Sequence, residues 1–177
     1  MADGAYLAFV AKVDAFAQLA HAGQAAYLRC EHGCDGCCRV RRSAYTVEAD
    51  RIRRHLSTLP LTQREALRRR RDRLDESGES KCVFLDDDGG CAVYTARPLI
   101  CRTHGPAVRL PDGELAWCEL NFTDLETADV STRIDGSTIL DVNLLNHTLA
   151  VINAQYIAGT DRPARSPLAA ALDPVCP

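Results

Sequence analysis

Four cysteines lie within nine residues of this chain, at Cys30, Cys34, Cys37 and Cys38. A thiolate is a soft ligand, so clustered cysteines favour zinc or iron–sulfur centres over magnesium or calcium. The two residues between Cys34 and Cys37 let both sulfurs turn towards one centre, and Cys30 is close enough in sequence to add a third ligand. The stretch from residue 30 to residue 38, which we call the cysteine knuckle, therefore predicts a metal-binding loop.

The adjacent cysteines of the knuckle constrain the kind of centre. Neighbouring side chains generally diverge, so we expect Cys37 and Cys38 to serve two sites, or different irons of one cluster. Four further cysteines follow at short intervals, each beside turn residues. The predicted metal ligands are the eight cysteines Cys30, Cys34, Cys37, Cys38, Cys82, Cys91, Cys101 and Cys118.

Eight thiols are enough for two tetrahedral zinc sites, or for one iron–sulfur cluster of four ligands and a second metal site. Spacing alone does not choose between them. We favour an iron–sulfur cluster of the 4Fe-4S type, because an adjacent pair among eight thiols suits a polynuclear centre better than separate zinc fingers. Zinc is the alternative. The ninth cysteine, Cys176, lies between two prolines, and we expect it to be a free thiol in a tail.

Two histidines and one glutamate are candidates for completing a ligand shell. His104 follows Cys101 by three residues and is the candidate catalytic residue, as a proton donor or beside an open metal position. Glu119 follows a cysteine directly, and His32 lies inside the knuckle. A loop histidine is more often a solvent-facing or hydrogen-bonded residue, and that alternative stays open for both histidines.

Two arginines flank Cys101 and are the candidates for the second shell. Arg97 and Arg102 are expected to donate hydrogen bonds to cluster sulfurs or to balance the thiolate charge. The alternative for both is an ion pair with the acidic run at residues 86–88.

The surroundings of these cysteines indicate a reducing compartment. Asp3 and the absence of a basic N-terminal region predict that the chain has no secretory signal, and no run approaches the roughly 20 apolar residues of a membrane span. In a reducing cytoplasm, thiols are ligands or redox groups more often than disulfides. We therefore expect a cytoplasmic protein without a membrane-spanning segment.

Hydrophobic periodicity and turn residues predict the elements that position the cysteines. Helical spacing is found over residues 5–28, 46–59 and 142–156, and a capping box at residues 62–65 predicts another helix that ends near Gly78. Short strands are predicted at residues 82–85 and 91–94, and a hairpin at residues 107–118 ends on a cysteine.

The predicted fold class is α+β, mainly helical. The chain is expected to form a single small domain, residues 1–160, with short β-hairpins and loops around a polycysteine metal site, followed by a C-terminal tail over residues 161–177. At 177 residues the chain can bury a core without help from metal.

Charge is concentrated in one part of the chain. Residues 39–73 contain twelve arginines and four acidic residues, although the whole chain has a net charge of −3. Such asymmetry can mark a face for nucleic acid or an acidic partner. Apart from Tyr45, no aromatic residue interleaves the arginines as a stacking platform would require, so we expect the basic helices to pair with the acidic remainder and do not expect nucleic acid binding.

The ordered cysteine pattern resembles that of the CxxCxxCC (YkgJ-type) cysteine-cluster family. The residues that carry the resemblance are the knuckle, Cys82-Val-Phe-Leu, Gly90-Cys91-Ala-Val-Tyr94 and Arg97-Pro98-x2-Cys101-Arg102. The first interval of the knuckle has three residues where the family pattern has two. The resemblance covers roughly residues 28–120 and implies zinc or iron chelation, with a link to iron–sulfur chemistry, because a similar domain accompanies a lysine methylase that acts on flagellin.

Two classes of function follow. The first is a cytoplasmic iron–sulfur protein, a small redox or group-transfer enzyme whose substrate the sequence does not name. The second is a zinc-stapled module without catalytic activity, which binds a protein or nucleic acid through the arginine-rich helices.

Overall fold

The computed structural model describes residues 2–31 and 33–173, and they form a mainly helical α+β fold, as predicted. The chain divides into two compact units. The first unit comprises residues 1–31 and 99–155, and the second comprises residues 32–98 and 156–177. The predicted domain boundary at residue 160 stays a prediction.

The first unit is built on the long helix α1, Ala2–Gln24, which continues as a 3-10 turn at Ala25–Tyr27. Its buried side chains Tyr6, Val13 and Ala20 recur every seven residues, which is two helical turns. The short helix α4, Leu99–Arg102, packs against α1.

A three-stranded sheet completes the first unit, together with a small apolar core. Strands β2, Val108–Arg109, and β3, Leu115–Ala116, pair antiparallel as the predicted hairpin, and β4, Leu140–Asp141, pairs parallel to β2. Helix α5, Thr127–Arg133, provides Val130 to the core. The last helix, α6, extends over Val142–Ile157 where the sequence predicts one.

The second unit contains two of the predicted helices. Helix α2, Thr46–Thr58, begins after Tyr45, whose backbone N–H donates to the Glu48 carboxylate (2.9 Å). Helix α3, Leu61–Ser77, begins directly after Pro60, and the predicted capping box at residues 62–65 lies inside its first turns. The helix ends as predicted at Gly78, whose φ of 70° is left-handed.

Residues 82–94 do not form the two predicted strands. They contain one isolated antiparallel bridge, Leu85 to Cys91, within a series of tight turns. Successive side chains of a strand point to opposite faces of a sheet. Val83 and Phe84 are neighbours in sequence and are both buried in the core of this unit, which this alternation does not favour.

The segment predicted to be a tail contributes to the core of the second unit. Strand β5, Arg165–Pro167, pairs antiparallel with β1, Ser43–Tyr45, and a 3-10 helix at Leu168–Leu172 buries Leu168 and Leu172. Residues 161–177 include four prolines, which are typical of irregular structure. The apolar run at residues 168–172 nevertheless packs against α2 and α3.

Asp50 on α2 anchors this segment. Its carboxylate accepts two hydrogen bonds from Arg162 (both 2.7 Å), one from the Tyr156 hydroxyl (2.8 Å) and one from Arg53 (2.8 Å). Burial alone would raise the pKa of Asp50, but these hydrogen bonds and the Arg162 charge outweigh burial and lower it.

The described residues include no helix that is both long enough and apolar enough to cross a lipid bilayer.

Candidate metal centre

The two adjacent cysteines of the knuckle lie on a short 3-10 helix, Gly36–Cys38, in the second unit. The Cys38 N–H donates to the Asp35 carbonyl (2.8 Å), which closes the turn. The two Sγ atoms lie 3.9 Å apart. The prediction that the side chains of Cys37 and Cys38 diverge is therefore wrong, because the tight turn directs both thiols to one side.

This separation matches a shared metal atom. Two sulfurs bound to one tetrahedral zinc at about 2.3 Å lie ~3.8 Å apart. The Cys37 and Cys38 sulfurs are thus already spaced as one edge of such a tetrahedron.

Backbone turns bring two later cysteines to the same place. The Cys82 N–H donates to the carbonyl of Cys38 (2.7 Å). This hydrogen bond holds the chain that follows the arginine-rich region against the knuckle. The chain then reverses at residues 86–90, and the Ala92 N–H donates to the Phe84 carbonyl (2.9 Å). Cys82 and Cys91 are half-buried and pack against the apolar core.

The thiols of this set act on one another electrostatically. The hydrogen bond with Cys38, burial and the charge of Cys38 raise the pKa of Cys37 far above its ordinary value. Burial raises the pKa of Cys82, and the charges of Cys91 and Cys37 raise it further. Burial also raises the pKa of Cys91, with a further contribution from Cys37. Like charges so close are unfavourable, and a bound cation would relieve them. We call Cys37, Cys38, Cys82 and Cys91 the coupled thiols.

Two arginines supply positive charge at the coupled thiols. Arg42 donates two hydrogen bonds to the Cys37 carbonyl (3.2 and 3.4 Å), and its charge acts to lower the pKa of both Cys37 and Cys82. The charge of Arg97 acts in the same direction on the pKa of Cys91. Its predicted second-shell role stays a prediction. Sequence reasoning missed Arg42, because nothing separates it from the eleven other arginines of residues 39–73 except its place four residues after Cys38.

Cys34 is the remaining cysteine that the structure describes in the second unit, and it follows the glycine at which the knuckle reverses. Gly33 has a φ of 90°, and Gly89, in the acidic turn, has a φ of 81°. A Cβ atom on Gly89 would lie 2.9 Å from the Gly33 carbonyl oxygen and 3.0 Å from its α-carbon. The knuckle and the acidic turn thus touch backbone to backbone, which only glycine permits.

A cavity of about 790 Å³ adjoins Cys82 in the second unit. Its wall is mostly charged, and several of the charges are paired: Arg70 bonds to Asp86 (3.3 Å) and Asp87 (2.7 Å), and Arg39 to Asp35 (3.1 Å). Other arginines pair with carboxylates of the same unit, as the sequence predicts.

Three predicted ligands lie in the first unit. Cys30 is exposed, whereas Cys101, on α4, and Cys118, after β3, are half-buried. Asn121, which is 1% exposed, links two of them: its side-chain N–H lies 3.8 Å from Cys30 Sγ, and its backbone N–H donates to the Cys118 carbonyl (2.8 Å).

The remaining candidates are placed as follows. His104 is half-buried in the loop before Gly105, Glu119 is exposed, and Arg102 is bound to Asp14 of α1 through two contacts of 2.8 and 2.9 Å. Arg102 therefore forms its ion pair with Asp14, and not with the acidic run at residues 86–88, the alternative expected from the sequence. His32 and Cys176 lie outside the described residues.

The donor set fits zinc or iron. All eight cysteines that the structure describes carry free thiols, and thiolates suit these two metals. Within residues 2–31 and 33–173, no three His, Cys, Asp or Glu side chains yet converge closely enough to hold an ion. The coupled thiols have the right chemistry and count for a four-cysteine site, which small side-chain rotations would have to close.

Fold and site together define a small, mainly helical polycysteine domain of the metal-chelating class. The sequence model of one family, CxxCxxCC, described as "Putative zinc- or iron-chelating domain", matches residues 29–125, which is more than half of the chain. The chain belongs to this family, as its cysteine pattern predicts. The domain accordingly chelates zinc or iron.

Neither the curated proteins nor the solved structures include one that matches this chain.

Proposed function

We propose that this chain is an iron–sulfur protein that holds a 4Fe-4S cluster through cysteine thiolates. The observation that carries the proposal is the set of coupled thiols, four half-buried cysteines that act on one another electrostatically within one unit. Four cysteines are the usual ligand number of such a cluster. The other predicted ligands, Cys30, Cys34, Cys101 and Cys118, exceed the needs of one cluster.

The residues around the coupled thiols have definable tasks towards a cluster. A bound cluster would supply electron transfer or activation of a substrate. Arg42 and Arg97 would balance thiolate charge, and the apolar core behind Cys82 and Cys91 would exclude water from one side. The charged cavity at Cys82 would admit a small polar substrate from the other side.

We further propose a redox or group-transfer role in the cytoplasm. A half-buried centre with an adjoining solvent cavity suits such chemistry better than metal storage, which needs labile ligands. His104 remains the candidate proton donor. The substrate is a small molecule or a protein partner that the residues do not identify.

Zinc is the second candidate, and one distance favours it. The 3.9 Å separation of the Cys37 and Cys38 sulfurs is that of two ligands on one metal atom, whereas two different irons of a cluster would hold their cysteines farther apart. In this alternative the chain is a zinc-stapled module that binds a protein. Nucleic acid is disfavoured as the partner, because arginines of the basic region are engaged by carboxylates of the same unit.

Anaerobic purification followed by metal and sulfide analysis separates the two candidates. Iron and acid-labile sulfide in equal amounts, about four each per chain, with the broad visible absorption of a cluster, would support the iron–sulfur proposal. A colourless protein with zinc and without iron or sulfide would contradict the iron–sulfur proposal and support the zinc module.

A binding assay tests the nucleic-acid version of the module. Wild-type protein and a variant with Arg68 to Arg71 changed to Gln would be titrated with duplex DNA and with RNA at low salt. We expect no binding by either protein. Salt-dependent binding that the variant loses would contradict this expectation.

A further inference from the structure

Asn121 is a buried amide whose side-chain oxygen and nitrogen are both engaged near a cysteine of the first unit. Its side-chain oxygen accepts the backbone N–H of Arg29 (2.8 Å), the residue before Cys30. Its side-chain nitrogen donates to the Gly105 carbonyl (2.7 Å) and lies 3.8 Å from Cys30 Sγ. Because an N–H only donates and a carbonyl only accepts, these partners fix the orientation of the amide.

The backbone around Asn121 extends the same network to Cys118. The Asn121 N–H donates to the Cys118 carbonyl (2.8 Å), and the Cys118 N–H donates to the carbonyl of Gly105 (3.1 Å). The Gly105 carbonyl therefore accepts from both residues. Three separate stretches of the chain, at residues 29–30, 105 and 118–121, thus meet at one side chain.

Gly105 lies close to both the Cys30 thiol and the Asn121 amide. Gly105 has a φ of 118°, and a Cβ atom at this position would lie 3.5 Å from Cys30 Sγ and 3.8 Å from the Asn121 amide nitrogen. The Cys30 thiol is exposed to solvent on one side and packed against this glycine on the other.

We propose that Asn121 is a positioning residue for the first unit's thiols: its side chain holds the backbone directly before Cys30, donates an N–H to the Cys30 sulfur and binds the Gly105 carbonyl that Cys118 also binds, which orients the cysteines towards a metal. This inference rests on the proposed function only in that the thiols are metal ligands. Hydrogen bonds to ligating groups orient them, and their loss commonly reduces metal affinity about 10- to 100-fold.

The chain offers a matched control in Gln24, another fully buried amide of the same unit. Its nitrogen donates to the Thr138 carbonyl (3.0 Å) and its oxygen accepts the Ala107 N–H (2.7 Å). Replacing either amide by a carboxylate keeps the shape and the acceptor but removes the donor. Only the Asn121 change occurs beside a thiol, so Asn121→Asp and Gln24→Glu separate positioning from general destabilisation.

The test is a titration of reduced, metal-free full-length protein with Co²⁺ under anaerobic conditions, read by the sulfur-to-cobalt charge-transfer band. We expect Asn121→Asp to weaken binding at least about tenfold and to reduce the band intensity, whereas Gln24→Glu stays within about threefold of wild type. Circular dichroism would show that each variant is folded. If Asn121→Asp does not fold, Asn121→Ser, whose shorter side chain cannot span the distance to Cys30, takes its place with the same expected loss.

The outcomes separate the two proposals. Wild-type affinity and band intensity in the Asn121 variant, or equal losses in the Asn121 and Gln24 variants, would overturn the role of Asn121 and leave the metal proposal standing. A wild-type protein that produces no thiolate–cobalt band would overturn the role of Asn121, and the cluster proposal would then be decided by the iron and sulfide analysis alone.

Discussion

The two units present their cysteines in different ways. In the first unit, the neutral buried amide of Asn121 bonds to the backbone of Arg29 and Gly105, next to Cys30, and its main-chain N–H bonds to the Cys118 carbonyl. In the second unit, tight backbone turns and an apolar core hold the coupled thiols, and arginine charge acts on them. The first arrangement fixes position without adding charge, whereas the second sets both position and ionisation. The difference indicates that the thiols of the second unit are the electrostatically more demanding set.

Removing one coupled thiol is the largest change that we predict. Cys37→Ser and Cys38→Ser should each lose most of the bound metal, because each removes one of four interacting ligands. Metal content per chain, measured by mass spectrometry after anaerobic purification, checks this. Cys118→Ser should lose less, and Cys176→Ser should lose none. Equal metal losses from cysteine variants of the two units would contradict the difference between the units. Full metal content in either Cys37→Ser or Cys38→Ser would refute a site shared by the coupled thiols.

Truncating the core behind Cys82 tests how far the second unit's thiols depend on apolar packing. Phe84 is fully buried, so Phe84→Ala should lower the free energy of unfolding by about 3–5 kcal/mol. Urea unfolding of the metal-free protein measures the change. Leu144→Ala, at a side chain that is 67% exposed, is the control and should change it by about 0.5 kcal/mol or less. Similar values for the two variants would contradict a core at Phe84.

The anchor at Asp50 should make the second unit sensitive to acid. Because the folded pKa of Asp50 lies below its ordinary value, its contribution is fully present above the unfolded pKa of about 3.9 and is lost as the pH falls through the folded value. Asp50→Asn should cost about 2 kcal/mol at pH 7, since hydrogen bonds to a charged group are lost.

Urea unfolding at pH 7 and at pH 3 checks the Asp50 prediction. The difference between wild type and Asp50→Asn should shrink at the lower pH. The buried amide of Gln24 does not ionise, so the deficit of Gln24→Ala should be the same at both values. A difference at Asp50 that is independent of pH would show that its charge is unimportant.

The smallest predicted effect concerns Arg42. Its charge acts to lower the pKa of Cys82, so Arg42→Gln should raise that pKa and leave less thiolate at neutral pH. Alkylation of Cys82 by iodoacetamide in metal-free protein should therefore be slower than in wild type. The neighbouring Arg41, which bonds to Asp75 (2.7 Å), provides the control Arg41→Gln. Equal rates in both variants would show that Arg42 has no special action on the thiols.

Much of the helical frame was predictable because its signals are local. The end of α3 at Gly78 and the span of α6 follow from periodicity and one glycine. The turns at residues 82–94 and the core segment 168–172 were not predictable, because their conformation depends on residues distant in sequence. The backbone N–H of Cys82 donates to the Cys38 carbonyl, and Leu168 packs on α2 and α3.

The same division holds for the candidate site. The cysteine spacing predicted the eight candidate ligands, and the ordered cysteine pattern predicted the family. It did not show that Cys37 and Cys38 point the same way, because one 3-10 turn decides that. Asn121 and Arg42 carry no sequence signal of their own: an asparagine in a loop and one arginine among twelve are unremarkable until the fold places them beside a thiol.

The contact between Gly33 and Gly89 has a consequence for how this protein can be altered. Exposed turns usually accept insertions and tags, but any change that puts a residue other than glycine at the place of Gly89 brings a Cβ atom against the knuckle backbone. For anyone labelling or circularly permuting the chain, the harmless-looking run Asp86-Asp87-Asp88-Gly89-Gly90 is the wrong place to cut, and the hairpin tip at Gly113, with open space around it, is the better one.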